Sequence, residues 1–214
     1  MIVVEPSIEV LNRPTRMEAL TLIERVARTC YKSEDKVTED SCVRMVKSLV
    51  KHQHLAMLEH VSATVKVICD RGVSHELVRH RVASYAQEST RYCNYSHQHE
   101  ITVVKPCFFE KDSHEFVRWW AACKFAEESY MDLIADGATP QEARTVLPNS
   151  LKTEIVMTMN LREWMHFFDL RAIGTTGAPH LQMKEIATML LENFAEWLPE
   201  VFGNQYEIMT SKLE

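Results

Sequence analysis

Glycine is scarce, with five in 214 residues. Neither a G-x-G-x-x-G run nor a G-x-x-x-x-G-K-[ST] run occurs. A Rossmann turn and a P-loop are therefore excluded as nucleotide anchors. The six cysteines (Cys30, Cys42, Cys69, Cys93, Cys107 and Cys123) include no C-x-x-C pair. They read as reduced thiols of a cytoplasmic protein rather than a disulfide framework. No apolar run approaches the ~18 residues of a membrane span. The opening MIVVEPSIEV has no basic region ahead of an apolar core, so no signal peptide is expected. Internal repeats, low-complexity tracts and linker-like stretches are missing as well. Positive charge is in deficit, 24 Lys+Arg against 30 Asp+Glu, a net of −6. That argues against a broad nucleic-acid or membrane face, although a local cationic site remains allowed.

What is present is ordinary globular material, 46% hydrophobic and long enough to bury a sizeable core. The β-branched run Ile2–Leu11 predicts a strand. From Pro14, Met17, Leu20, Ile23, Val26 and Cys30 recur at helical spacing. A second helix is expected after Thr38, burying Val43, Val46 and Val50. Ala63, Val65, Val67 and Cys69 alternate as in a half-buried strand, and a helix over Gly72–Arg81 should follow. A short strand at Ile101–Lys105 precedes a long helix opened by Asp112 and Glu115 and ended by Gly137. Thr139-Pro140-Gln141-Glu142 is a helix start, with Arg144 on that helix. Ile155, Met157 and Met159 mark another strand. Asn160 caps the next helix with Glu163 completing a capping box, and a final helix covers Leu181–Leu198. The expectation is one α+β domain over residues 1–214, with a mostly antiparallel or mixed central sheet flanked by helices.

The densest chemistry lies in RHRVASYAQESTRY, Arg79 to Tyr92. Three Arg and one Glu give this stretch a local charge of about +2 within an acidic chain. Guanidinium forks suit phosphate oxygens, and Ser and Gln suit the amide edges of a base. The mixture points to a nucleotide pocket, against the alternative of a solvated basic helix end. Ser89 has no evident base to activate it, so it reads as an orienting group and not a nucleophile.

R-H-R, seven residues, then Ser (Arg79-His80-Arg81…Ser89) resembles the signature of the flavin-dependent thymidylate synthases, the ThyX family. KHQHLAMLEH (Lys51–His60) is similar to the family's H-x-H-x₄-E-H segment. ARTVLP (Ala143–Pro148) and MNLREWMHFFDLR (Met159–Arg171) follow in family order. The resemblance covers most of the chain. It implies a homotetramer whose active sites draw on several subunits. It implies synthesis of dTMP from dUMP, with 5,10-methylenetetrahydrofolate as carbon donor, NADPH as reductant and FAD as mediator. It places His54, Ala56, Arg79, His80, Arg81, Gln87, Asn160, Arg162 and His166 at the flavin, with Glu59 nearby. It places Glu76, Leu77, Val78, Arg79, Gln87, Glu88, Ser89, Thr90, Arg91, Arg144 and Arg171 at dUMP, with Arg144 meeting phosphate. Arg171 is implied to face the pyrimidine and activate it. A guanidinium that keeps its proton stabilises negative charge building on the ring.

Three positions depart from the family pattern. Ala56 stands where Thr or Ser is common, Glu76 where many members have Gln, and Gln87 where some have Glu. The Gly174–Pro179 loop has no role assigned by the pattern. Bland readings stay open beside these: Asn160 as a plain helix cap, Arg162 and His166 as a solvated helix face, and Arg171 satisfying helix carbonyls. Two other functions stay open too. One is a nucleic-acid-binding module using the RHR helix. The other is a metal-dependent hydrolase built on His52, His54 and His60.

Overall fold

The computed structural model describes residues 1–212. Its elements are six strands and eight α-helices among the described residues, a mixed α and β content as expected. Strand β1 (Ile2–Val4) and strand β2 (Ser7–Asn12) replace the single predicted strand. The break falls at Pro6, which offers no N–H to a ladder. The two halves join different sheets. β1 pairs in parallel with β5 (Thr102–Val104), Ile2 opposite Thr102. A four-stranded sheet has the order β2, β3 (Ser62–Asp70), β6 (Lys152–Asn160), β4 (Ser84–Gln87). There are thus two sheets where one central sheet was expected.

The chain divides into two compact units, each assembled from separate stretches. The first holds Met1–Ser7, Lys66–Arg79 and Tyr85–Val156; the second holds Ile8–Val65, His80–Ser84 and the chain from Met157. In the first unit, Ile101, Val103, Cys123 and Leu151 form a buried cluster under Trp119 and Leu147. Helix α3 (Arg71–Leu77) is capped by Asp70, whose carboxylate accepts from the Val73 N–H at 2.6 Å. It ends four residues earlier than predicted, so the RHR triplet lies beyond it in irregular chain. Helix α4 (His114–Ala135) is capped by Ser113 rather than Asp112, which instead adopts a left-handed conformation. Helix α5 (Pro140–Ala143) carries the predicted Thr139–Glu142 capping box; Arg144 opens the 3₁₀ turn that follows.

In the second unit, helix α1 (Arg16–Tyr31) buries Ala19, Leu20, Ile23 and Ala27. Its stripe is rotated from the predicted one, since Met17 and Cys30 are exposed. The rotation buries Glu24 and Arg28, which pair at 2.7 Å. Helix α2 (Ser41–Lys51) starts at Asp40 and not Thr38, with Cys42, Val46 and Leu49 buried. Helices α6 (Leu161–Phe168) and α7 (Leu181–Trp197) share an aromatic core. Trp164 is fully buried against Phe167, Phe168 and Phe194, with ring centroids 4.8–5.7 Å apart. A further helix, α8 (Pro199–Ser211), follows where the sequence reading ended. Pro199 occupies its first turn, a position that needs no N–H donor.

Candidate active site

In the first unit, β4 and the residues after it build a wired platform. Gln87 Nε2 donates to Ser74 Oγ at 2.9 Å and to Thr153 Oγ1 at 3.2 Å. Both hydroxyl residues are fully buried. The Gln87 amide nitrogen is therefore engaged internally, and its oxygen is the group left for other work. Glu88 is held on both oxygens, by Tyr95 Oη at 2.8 Å and Lys152 Nζ at 3.1 Å. Burial, and then the Glu88 carboxylate, push the Tyr95 hydroxyl far above its ordinary range. Burial alone would lower Lys152, but Glu154 and Glu88 outweigh it and raise the ammonium. Glu88 thus braces the platform. The family resemblance assigned it to substrate.

Beyond the platform, the chain turns at Ser89, whose carbonyl accepts from the Tyr92 and Cys93 N–H groups at 3.1 and 2.9 Å. Ser89 Oγ accepts from the Arg91 N–H at 3.3 Å, as an orienting turn residue would. Two exposed guanidinium groups then meet one short segment. Arg91 Nε donates to Gln141 Oε1 at 2.9 Å, and Arg144 Nη1 donates to Thr90 Oγ1 at 3.3 Å. Gln141 and Arg144 are three residues apart on α5 and its 3₁₀ extension, so the two cations serve one locality. Of the residues before them, Glu76 is half-buried on the last turn of α3 and Val78 and Arg79 are exposed. Leu77 is fully buried, and only its carbonyl is engaged, by Tyr85 Oη at 2.7 Å.

In the second unit lies a cavity of about 1030 Å³. Its lining includes Lys47 and Lys51 of α2, Asn160 at the end of β6, Arg162 and His166 of α6, and Gln205 of α8. Asn160 Oδ1 accepts from the Glu163 N–H at 2.9 Å, capping α6 as predicted. Glu163 does not complete the expected box with Asn160; its Oε1 faces His80 Nδ1 at 3.7 Å instead. Arg162 and His166 are exposed on one face, and Arg162 pairs with Glu59. Gln205 Nε2 donates to the Met165 carbonyl at 2.9 Å and to Asp169 Oδ1 at 2.6 Å. Its Oε1 is buried with no hydrogen-bond partner. The volume suits a large cofactor such as a flavin nucleotide, with Lys47, Lys51 and Arg162 available to phosphates and Glu59, Glu163, Asp169 and Glu200 in the same lining. His54 and Ala56 are exposed on and beside the 3₁₀ segment Leu55–His60.

Arg171 sits on a π-helical turn, Asp169–Ile173, with the Gly174 N–H returning to the Asp169 carbonyl. That carbonyl also accepts from Thr175 N and Oγ1 at 2.9 and 3.1 Å. Gly174 closes the turn at φ 72, and a Cβ there would lie 2.9 Å from the Gly177 oxygen. The Gly174–Pro179 loop therefore holds the turn that presents Arg171. Arg171 Nε donates to His80 Nε2 at 3.1 Å. His80 is 5% exposed and packs edge-on against Phe167 at 5.0 Å. Burial, then the Arg171 and His166 charges, depress its imidazole to about 4.

Arg79 and Arg81 are exposed while His80 between them is buried. The triplet is thus neither helical nor one basic face, which removes the element that the nucleic-acid reading needed. His52 Nδ1 bonds the Ser48 carbonyl at 2.8 Å, a helix-end role. Among the described residues no group of three or more His, Cys, Asp or Glu is placed to hold a metal ion. No helix among them is long and apolar enough to cross a membrane. Sequence reasoning missed Lys47, Lys51, Asp169, Gln205, Tyr95 and Lys152. The last two belong to residue types with no motif, and Gln205 lies on the helix that went unread.

Residues 14–200 match the family model described as thymidylate synthase complementing protein, Thy1. A flavin-dependent thymidylate synthase of Pyrococcus abyssi is 34% identical over 166 residues, 77% of this chain and 67% of that protein. One from Mycolicibacterium vanbaalenii is 31% identical over 206 residues, 88% and 80% of the two chains. In fold, the chain is similar to the UMP/dUMP methylase PolB of Streptomyces cacaoi, solved with 5-Br dUMP. The TM-score is 0.79 at 22% identity, covering 99% of this chain and 97% of that one. By the family model and by these identities, the chain belongs to the flavin-dependent thymidylate synthase family.

Proposed function

We propose that residues 1–214 form one catalytic domain that converts dUMP to dTMP by reductive methylation. The carbon comes from 5,10-methylenetetrahydrofolate and the reducing equivalents from NADPH, in a homotetramer whose active sites each draw on more than one chain. FAD is the proposed cofactor, held by the cavity lined by Asn160, Arg162 and His166, while the family resemblance adds His54, Ala56, Arg79, His80 and Arg81 as residues that meet it in the assembled enzyme. Bound there, it supplies the redox step that no side chain of the protein can carry. Ala56 has no hydroxyl, so only its backbone is available for a polar contact with the flavin.

The nucleotide falls to the residues of the first unit. Arg91 and Arg144 present two guanidinium groups to its phosphate, with Ser89 and Thr90 orienting it. The Gln87 oxygen accepts from the base N–H, and Glu88, braced by Tyr95 and Lys152, keeps acceptor capacity for the same substrate. Glu76 lies at the edge of the same substrate, with Val78 and Leu77 offering backbone.

Arg171 is the catalytic group, placing permanent positive charge where the uracil ring becomes anionic. The observation that carries this reading is the fixed seat of Arg171, held by a π-turn, a glycine that tolerates no Cβ and a buried histidine. The test is turnover of dUMP with methylenetetrahydrofolate, NADPH and added FAD, for the wild type and Arg171→Ala. Formation of dTMP by the wild type alone supports the reading. No dTMP from either, with all four components present, overturns it.

A further inference from the structure

His80 occupies the middle of the R-H-R triplet, yet its neighbours point elsewhere. It is 5% exposed, so in this chain it offers almost no surface to a ligand. Its ring is clamped edge-on by Phe167 at 5.0 Å and flanked by His166 at 6.2 Å. One ring nitrogen receives the Arg171 Nε–H at 3.1 Å, and the other faces Glu163 Oε1 at 3.7 Å.

We propose that the His80 imidazole is a positioning group in a Glu163–His80–Arg171 chain, which aims the Arg171 guanidinium at the substrate. The proposal rests on the reading of Arg171 as the group that activates the pyrimidine.

The wiring follows from donor and acceptor chemistry. Arginine has five N–H donors and no acceptor, and it does not lose its proton in proteins. The Nε2 atom of His80 must therefore be the bare, accepting nitrogen, and the ring proton must sit on Nδ1. That proton points at the Glu163 carboxylate, whose negative charge favours this tautomer over the other. At 3.7 Å the contact is longer than a direct hydrogen bond, so it acts through charge or one bridging water. A protonated imidazole would set an N–H against the Arg171 N–H; burial and the Arg171 charge keep the ring neutral. Each member is anchored separately. Glu163 lies in the first turn of α6, three residues after its Asn160 cap. Arg171 stands on the π-turn that Gln205 pins through Asp169. With Nε engaged, the terminal nitrogens are turned to a defined direction, which positions charge more sharply than a long free side chain.

The experiment pairs two variants with a measurement on the wild type. His80→Phe keeps the ring and its packing and removes the acceptor. His80→Gln returns an oxygen close to the position of Nε2. His80→Phe is expected to lower kcat about tenfold or more, with KM for dUMP and flavin content within about twofold of wild type. His80→Gln should recover most of kcat. Wild-type kcat in His80→Phe, equal losses in both variants, or flavin lost from both would overturn the proposal. ¹⁵N spectra of histidine-labelled wild-type protein read the wiring without turnover and without any variant. They should show His80 neutral with its proton on Nδ1; a proton on Nε2 contradicts the chain. A wild type that makes no dTMP sinks the proposed function, while the tautomer still decides whether this chain exists.

Discussion

In the first unit, Gln87 and Glu88 are tied to Ser74, Thr153, Tyr95 and Lys152, and two exposed guanidinium groups stand beyond them. In the second, Lys47, Lys51, Arg162 and His166 line about 1030 Å³ of space, and Arg171 is held on a π-helical turn by the His80 ring. The first arrangement suits gripping a small charged ligand in one pose, because its polar groups are satisfied before the ligand arrives. The second suits holding a large ligand and doing chemistry beside it, because it combines volume with one immobile charge. Substitutions should therefore separate cleanly: binding of dUMP should follow the first unit, and turnover the second.

Arg171→Ala offers the largest break. It should lower kcat about 10²–10³-fold while flavin absorbance is retained, read by steady-state kinetics on protein of known flavin content. An equal loss of flavin would move Arg171 from chemistry to cofactor binding. Next comes acid stability. The folded protein holds His80 near 4, below its ordinary 6.5, whereas the unfolded chain takes up the proton from 6.5 downward. The folded state's advantage is thus complete above pH 6.5 and is lost as pH falls toward 4. The size is about 3 kcal/mol, from the shift at 1.36 kcal/mol per unit. Denaturant melts of wild type and His80→Phe across pH 4–7 should converge toward the acid end.

Gly174→Ala should cost about 1–3 kcal/mol, since φ is left-handed and the new methyl meets backbone. It should reduce kcat along with stability, because the same turn seats Arg171. Arg144→Ala should raise KM for dUMP about tenfold with kcat nearly unchanged. A fall in kcat with unchanged KM would erase the contrast between the two units. The smallest effect belongs to the exposed Arg162–Glu59 pair. Glu59→Gln should change stability by less than about 1 kcal/mol. If it strengthens flavin binding, Arg162 is released toward the cofactor.

Much of the frame could be read from residues. Alternation between Ala63 and Cys69 and between Ile155 and Met159 located β3 and β6, because a strand buried on one face repeats every two residues. Thr139-Pro140 and Asn160 located the starts of α5 and α6, where side-chain chemistry is local. The misses have physical causes. Pro6 divided an apolar run that periodicity alone reads as continuous. α3 stopped at Leu77 although helical pattern continued, since nothing local marks that end. Met17 and Cys30 proved exposed because α1 turned to bury the Glu24–Arg28 pair, a tertiary choice. The expected last helix ended at Leu198, and α8, which Pro199 opens, was not expected, so Gln205 and its hold on Asp169 went unseen. At the site, the motif blocks marked Arg171 and His80 but not their hydrogen bond. That contact joins residues 91 apart in sequence, and no spacing rule reaches so far.

The most direct test of the central claim is the visible spectrum of the purified protein with FAD supplied, recorded without oxygen before and after NADPH is added with dUMP present. Flavin absorption should appear with the protein and then bleach, and methylenetetrahydrofolate should restore the colour as dTMP forms. A protein that retains no flavin at any supplied concentration, and yields no dTMP, contradicts the account.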